Sequence, residues 1–272
     1  MILGGISYYL DYFIPSFSLA QNVDNLFFGK RPKLGDEFER LFNSIFDHAE
    51  DCMRIVRTLA RRHAGYTRED LSRLTGLAPN GEFTKMMKAL MGSDFVVKYT
   101  PFGESRKTAF YRLSDCFCWF WLHFKEKKRI VESDYWQHHL KESEVRSWCG
   151  VAFEEVCLQH VPQIKSALQI AGVSSVESSL VVRGGGDTDG MQIDLLIDRA
   201  DDVVNVCEMK YYSSPFTVTK SYADTLRHRL AALESEYPNK TFNLTLVSSE
   251  PMRQNEYAGL FASTVGLDEL FL

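Results

Sequence analysis

Apolar positions change their spacing several times along the chain, and each change marks an expected segment. Up to about residue 50 they recur at helical intervals. Residues 8–17 read as a helix broken at Pro15, residues 19–28 as a second and residues 35–46 as a third. The third carries Phe38, Leu41, Phe42, Ile45 and Phe46 on one stripe. Such a stripe is core, and with no third layer of its own this segment is expected to dock against something outside itself. From residue 53 to 115 the spacing predicts three short helices and then two strands. Ile55, Val56, Leu59 and Ala60 mark a helix ending near Gly65. Thr67, with Asp70 three residues on, caps a second that stops at Gly76. A third, residues 82–91, keeps Phe83, Met86, Met87 and Leu90 on its inner face. Residues 95–99 and 108–113, joined by a turn at 101–106, complete a hairpin.

Residues 115–150 are dense in aromatics: Phe117, Trp119, Phe120, Trp121, Phe124, Tyr135, Trp136 and Trp148. Aromatic stripes of this density read as packing between domains rather than as a ligand cage. Beyond residue 150 the period alternates between helix and strand. A helix is expected over 148–161, strands over 179–183, 191–198, 203–211 and 242–248, and a helix over 222–236. The Gly-rich run 184–190 between the first two strands reads as a hairpin turn.

Composition narrows the classes. At 272 residues the chain is long enough for two cores, and 45% hydrophobic with 25% charged residues excludes a disordered or collagen-like chain. The densest apolar run, 116–124, is about half the length of a membrane span, and no secretory signal opens the sequence. Six cysteines without a CxxC pair fit a reducing cytoplasm, which is the expected location. His138-His139 lacks further ligands at zinc spacing and reads as a surface or packing pair.

Charge is uneven. Residues 53–115 hold twelve Lys and Arg against six Asp and Glu, a local +6 in a chain of net -5, leaving -11 elsewhere. Three helices and a hairpin form the winged-helix order, and the excess charge suggests an acidic partner. Lys85, Lys88, Arg106 and Lys107 are the candidate phosphate contacts to DNA. The same basic surface equally suits docking to a protein, because the third helix offers only two Lys for reading bases.

On the expected strand 203–211, Glu208 and Lys210 fall on one face, roughly 7 Å apart. Asp194 lies in the neighbouring strand, one short connection away. Two carboxylates on adjacent strands with a lysine two residues on can hold Mg²⁺ or Mn²⁺ through oxygen ligands and direct water at phosphorus. The lysine adds positive charge for the transition state or helps deprotonate the water. The alternative is a structural Glu208–Lys210 salt bridge on an edge strand.

Asp194 followed by Glu208-Met209-Lys210 resembles the PD-(D/E)XK restriction-endonuclease-like superfamily. That resemblance implies an acidic residue on the preceding helix, which Phe153-Glu154 supplies, with Glu155 as its neighbour. Asp194 and Glu208 become metal ligands, Lys210 the catalytic lysine and Glu154 an auxiliary acid.

A wider set of segments resembles the C-terminal half of a prokaryotic AAA-type ATPase family: Gly4-Gly5-Ile6-Ser7-Tyr8-Tyr9-Leu10, Ser18-Leu19-Ala20-Gln21-Asn22-Val23, Leu113-Ser114-Asp115, Phe153-Glu154, Gln192-Ile193-Asp194-Leu195-Leu196-Ile197-Asp198-Arg199 and Cys207-Glu208-Met209-Lys210. It implies a modular α+β chain: a helical lid-like segment (1–50), a winged helix (51–115), an aromatic helical linker (116–148) and a restriction-endonuclease-like α/β domain (149–272). The chain would begin within the lid. No GxxxxGK[ST] occurs, so no ATP hydrolysis is expected from this chain alone. The function expected is engagement of DNA, with Mg²⁺-dependent phosphodiester hydrolysis. The alternatives are a non-catalytic DNA- or protein-interaction module working with a separate ATPase domain, and a decayed remnant.

Overall fold

The computed structural model describes residues 1–104, 108–128, 130–182 and 191–272. The protein is mixed α+β, and its chain divides into two compact units: Met1–Tyr99 with Arg106–Ala152, and Thr100–Ser105 with Phe153–Leu272. No helix among the described residues is long and apolar enough to cross a membrane.

The first unit begins with a short 3₁₀ turn, Ser7–Tyr12, where the sequence predicts a helix over 8–17 broken at Pro15. The helix stops early because Asn22 takes over the backbone: its amide oxygen accepts from Ile14 N–H and its Nδ2 faces the carbonyls of Ile14, Phe17 and Ser18. Ser18 and Gln21 then form a capping box that starts α1 (Leu19–Phe27). The stripe of α2 (Glu37–Ile45) buries Phe38 and Phe42 completely, while Ile45 turns outward at 45% exposure.

Next come α3 (Ala49–Leu59), β1 (Tyr66–Thr67), α4 (Arg68–Thr75), α5 (Gly81–Gly92), β2 (Val96–Tyr99) and β3 (Phe110–Leu113). Thr67 caps α4 by accepting from Asp70 N–H, and Gly76 ends it at φ +70°. The hairpin gains a third strand the sequence reading did not include, giving the order β1-β3-β2, all antiparallel. Gly65 makes that approach possible. Its φ is +68°, and a Cβ there would lie 1.9 Å from Tyr111 O.

The aromatic stretch forms α6 (Cys116–Phe120), a wider turn continuing it to Lys127, and α7 (Tyr135–His139). These residues pack within the first unit. Phe27 meets Phe120 at 4.6 Å, Phe38 stacks on Trp121 at 4.8 Å, and Phe120 also contacts Phe124, Trp136 and Trp148. The N-terminal helices therefore find their missing layer inside this unit. Buried Asp24 ties the two ends together by accepting from the N–H groups of Trp136 and Gln137 in the first turn of α7. His138 is exposed and pairs with Glu132, and His139 stacks on Tyr135.

Helix α8 (Ser143–Gln159) begins in the first unit and ends in the second, where α9 (Val161–Ala167) follows it. The second unit holds the five-stranded mixed sheet β4 (Ser175–Val182), β5 (Met191–Arg199), β6 (Val203–Lys210), β7 (Thr241–Ser248) and β8 (Ser263–Gly266), in that spatial order. β4, β5 and β6 are antiparallel neighbours; β6, β7 and β8 run parallel. Helix α10 (Lys220–Glu236) supplies the crossover from β6 to β7 and packs Ala223, Leu226 and Leu233 against one face of the sheet, over Val204, Val206 and Leu246. Phe153, Cys157 and Ile164 cover the other face, over Leu195, Cys207 and Met209. The sequence reading had neither α9 nor β8, both too short to establish a period.

Candidate functional site

Period-two alternation in β6 puts Val204, Val206, Glu208 and Lys210 toward α10. β6 is the central strand of the sheet, not an edge, so Glu208 lies only 6% exposed. The Glu208–Lys210 salt bridge of the alternative reading does exist, at 3.3 Å, but in the middle of the sheet. Glu208 is also bound from α10. Its Oε2 accepts from the Tyr222 hydroxyl at 2.7 Å, and its Oε1 accepts from Arg229 Nη1 at 2.8 Å. The Lys210 ammonium stands 5.5 Å from the centre of the Tyr222 ring. The buried carboxylate beside it pushes the Tyr222 phenol far above its ordinary range, after burial itself, so the hydroxyl remains a donor.

Asp194 sits at an irregularity in β5. Ser178 pairs with Leu196 and Leu180 with Ile193, so Asp194 and Leu195 together oppose the single residue Ser179. This is a β-bulge, and it exchanges the faces: Ile193 and Leu196 both join the core under α10, whereas Leu195 and Ile197 join the opposite one. The ladder to β6 has its last pair at Leu195 and Cys207, immediately before Asp194 and Glu208. Asp194 is partly exposed and accepts from Gln192 Nε2 at 2.7 Å.

Glu154 reaches this end of the sheet from α8. One of its carboxyl oxygens and one of Asp194 lie within 4.8 Å. Burial, and then the charge of Asp194, push the Glu154 carboxyl up to about 8; Lys210 pulls it down and Glu208 pushes it further up. Glu154 therefore feels every other member of the expected constellation. Its neighbour Glu155 is fully buried.

The structure thus brings Glu154 beside Asp194 and Glu208 beside Lys210, with Glu154 coupled to both groups. Sequence reasoning missed Tyr222 and Arg229. Their signal was present: residues 222, 226, 229 and 233 recur at helical spacing, so Tyr222 and Arg229 share the stripe of Leu226 and Leu233. A charged residue on a buried stripe needs a partner.

The donor set suits a hard divalent cation. Burial and then the neighbouring Asp194 charge disfavour ionisation of Glu154, a cost that such an ion relieves, and the carboxyl groups of Glu154, Asp194 and Glu208 offer it oxygen ligands.

In the first unit, Lys85 and Lys88 both lie on the exposed face of α5. Lys85 is paired with Glu82 at 2.9 Å, and Arg54, Arg57 and Arg73 are likewise held by Asp51, Glu126 and Asp70. Of these acids, Asp51 and Glu126 lie outside residues 53–115 and so offset two of the six excess charges. Arg106 and Lys107 lie outside the described residues, as does the turn expected at 184–190.

No family model matches the sequence, and no curated protein matches it. Among solved structures, the chain is similar to one titled "Crystal Structure of Protein of Unknown Function AF1548", at 17% identity and a TM-score of 0.30. That match covers 41% of this chain and 57% of the other, so the chain spans little more than half the length of that structure.

Proposed function

We propose that the second unit is a PD-(D/E)XK nuclease-like domain that engages DNA and hydrolyses phosphodiester bonds with Mg²⁺ or Mn²⁺. The observation that supports this most is the convergence of Glu154, Asp194, Glu208 and Lys210 from a helix, a bulge and a central strand at one end of a mixed sheet. Structural ion pairs rarely require three carboxyl groups to crowd together, and one of them is forced toward its neutral form. The residues 51–115 read as a winged helix that presents α5 to the nucleic acid.

Asp194 and Glu208 would hold the ion, with Glu154 alongside. The ion would supply the charge that stabilises the leaving oxygen and acidifies a bound water. Lys210, poised over the Tyr222 ring and bound to Glu208, contributes a fixed positive charge toward the phosphate as negative charge builds on it. Tyr222 and Arg229 fix the Glu208 carboxylate, so its orientation needs no rearrangement during reaction. Glu154, neutral at pH 7 by virtue of its surroundings, can donate a proton at its carboxyl oxygen.

The test is cleavage of plasmid and linear DNA with Mg²⁺ or Mn²⁺ by the wild-type protein and by Lys210→Ala. Metal-dependent cleavage lost in Lys210→Ala by at least about a hundredfold supports the reading. Cleavage that persists unchanged in that variant refutes it.

One observation favours a second reading. Glu208 already has two cationic partners and a phenol, a set that can serve as a purely structural cross-brace between β6 and α10. On that reading the chain is a DNA- or protein-interaction module working with a separate ATPase domain, and it would bind without cutting.

A further inference from the structure

The partners of Glu208 constrain how an ion can reach it. A carboxylate offers about four acceptor directions. On Oε2 both are taken, by the Tyr222 hydroxyl at 2.7 Å and the Lys210 ammonium at 3.3 Å. Oε1 accepts from Arg229 at 2.8 Å. The direction left is on Oε1 itself, beside the guanidinium. A divalent ion bound there would share one nearly buried carboxylate with two resident cations, where water screens their repulsion little.

We propose that Arg229 is a resident counter-cation of Glu208 and that it makes divalent-ion loading depend on an anionic phosphodiester. The proposal rests on the nuclease reading and adds its regulation. Without nucleic acid, the Glu208 charge is already matched and the ion gains little. A phosphodiester oxygen brings negative charge to the same place, offsets the repulsion between ion, Arg229 and Lys210, and offers the guanidinium an alternative acceptor. The ion and the DNA therefore bind cooperatively, and the free protein is kept largely unloaded. Reciprocity requires that the ion tighten DNA binding by the same factor.

Calorimetric titration of the full chain with MnCl₂ tests this, with and without a short phosphorothioate DNA duplex that resists hydrolysis. The duplex should tighten Mn²⁺ binding to the wild type by at least about tenfold. Arg229→Gln, which keeps a hydrogen-bond donor but no charge, should bind Mn²⁺ about tenfold tighter than the wild type without DNA, and gain correspondingly less from the duplex. Arg229→Lys keeps the charge and should behave as the wild type. Arg229→Gln with unchanged or weaker Mn²⁺ affinity and an unaltered melting curve overturns the proposal. So does a wild type whose Mn²⁺ affinity is indifferent to the duplex, which needs no variant to fold. If the wild type binds no Mn²⁺ even with DNA, the nuclease reading itself falls, and this inference with it.

Discussion

Replacing Glu154 by Gln should stabilise the protein, by an amount that grows as pH rises. Glu154 titrates near 4.5 in an unfolded chain and near 8 in the folded one, because burial and the neighbouring Asp194 disfavour its charge. Below pH 4.5 it is protonated in both states and contributes nothing. Between 4.5 and 8 the unfolded chain ionises while the folded one keeps its proton, so unfolding is favoured by about 1.4 kcal/mol for each pH unit. Above 8 both forms are ionised and the penalty is complete, at about 4 to 5 kcal/mol in the limit of full burial. Glutamine has the same shape and never ionises. Whatever constant offset the substitution introduces, the stability difference between Glu154→Gln and wild type should therefore widen by about 3 to 4 kcal/mol from pH 5 to pH 8. Urea unfolding at four pH values across that window, followed by far-ultraviolet circular dichroism, measures it. Asp194→Asn removes the second-largest cause of the shift and should narrow the window from its upper end. A difference that stays flat from pH 5 to 8 would mean that Glu154 titrates as an ordinary carboxylate, and the crowding at the sheet end would lose its chemical meaning.

Two further outcomes concern the first unit. Gly65→Ala should destabilise it by more than about 2 kcal/mol, since it combines a positive φ with a Cβ driven into Tyr111 O; thermal melts would detect this, and a shift within error would count against the close approach of β1 to β3. If α5 meets the DNA backbone, Lys88→Ala should weaken binding to all sequences alike and flatten the dependence of log affinity on log salt by about one unit. An unchanged slope in fluorescence-anisotropy titrations would assign the basic surface to protein docking.

Period and capping made the helices α1 to α5, the hairpin and the alternation of β6 legible, because each of these signals is carried by neighbouring residues of one segment. The errors share a different cause. Ile45 fits the stripe of α2 by spacing, yet it points outward, since where a helix turns its stripe is decided by what it meets, and Phe95 and Trp121 lie far along the chain. The same long-range packing makes one core of segments that read as a lid-like piece, a basic module and a linker. Short elements such as β1 and β8 carry no period at all and form only because β3 and β7 offer them a free edge.

The candidate site divides along the same line. Glu208 and Lys210 could be paired from alternation alone, because two residues on one strand cannot escape a common face. Asp194 could not be aimed that way. The bulge at Asp194 and Leu195 reverses which face each flanking residue joins, and a strict period-two reading through β5 would have sent Ile193 and Leu195 to the same core when they go to opposite ones. The irregularity has a consequence for chemistry. A regular strand would have continued the ladder past Leu195 and Cys207 and set Asp194 directly across from Glu208, two like charges side by side, each competing for Lys210. The bulge instead leaves Asp194 partly exposed and next to Glu154, so the negative charge is split between a pair in which Glu154 is pushed toward its neutral form and a carboxylate that Arg229 and Lys210 neutralise. That division lets three carboxyl groups coexist at one sheet end, and the buried Glu208 charge is the partner that keeps Arg229, on a helix stripe shared with Tyr222, Leu226 and Leu233, charged.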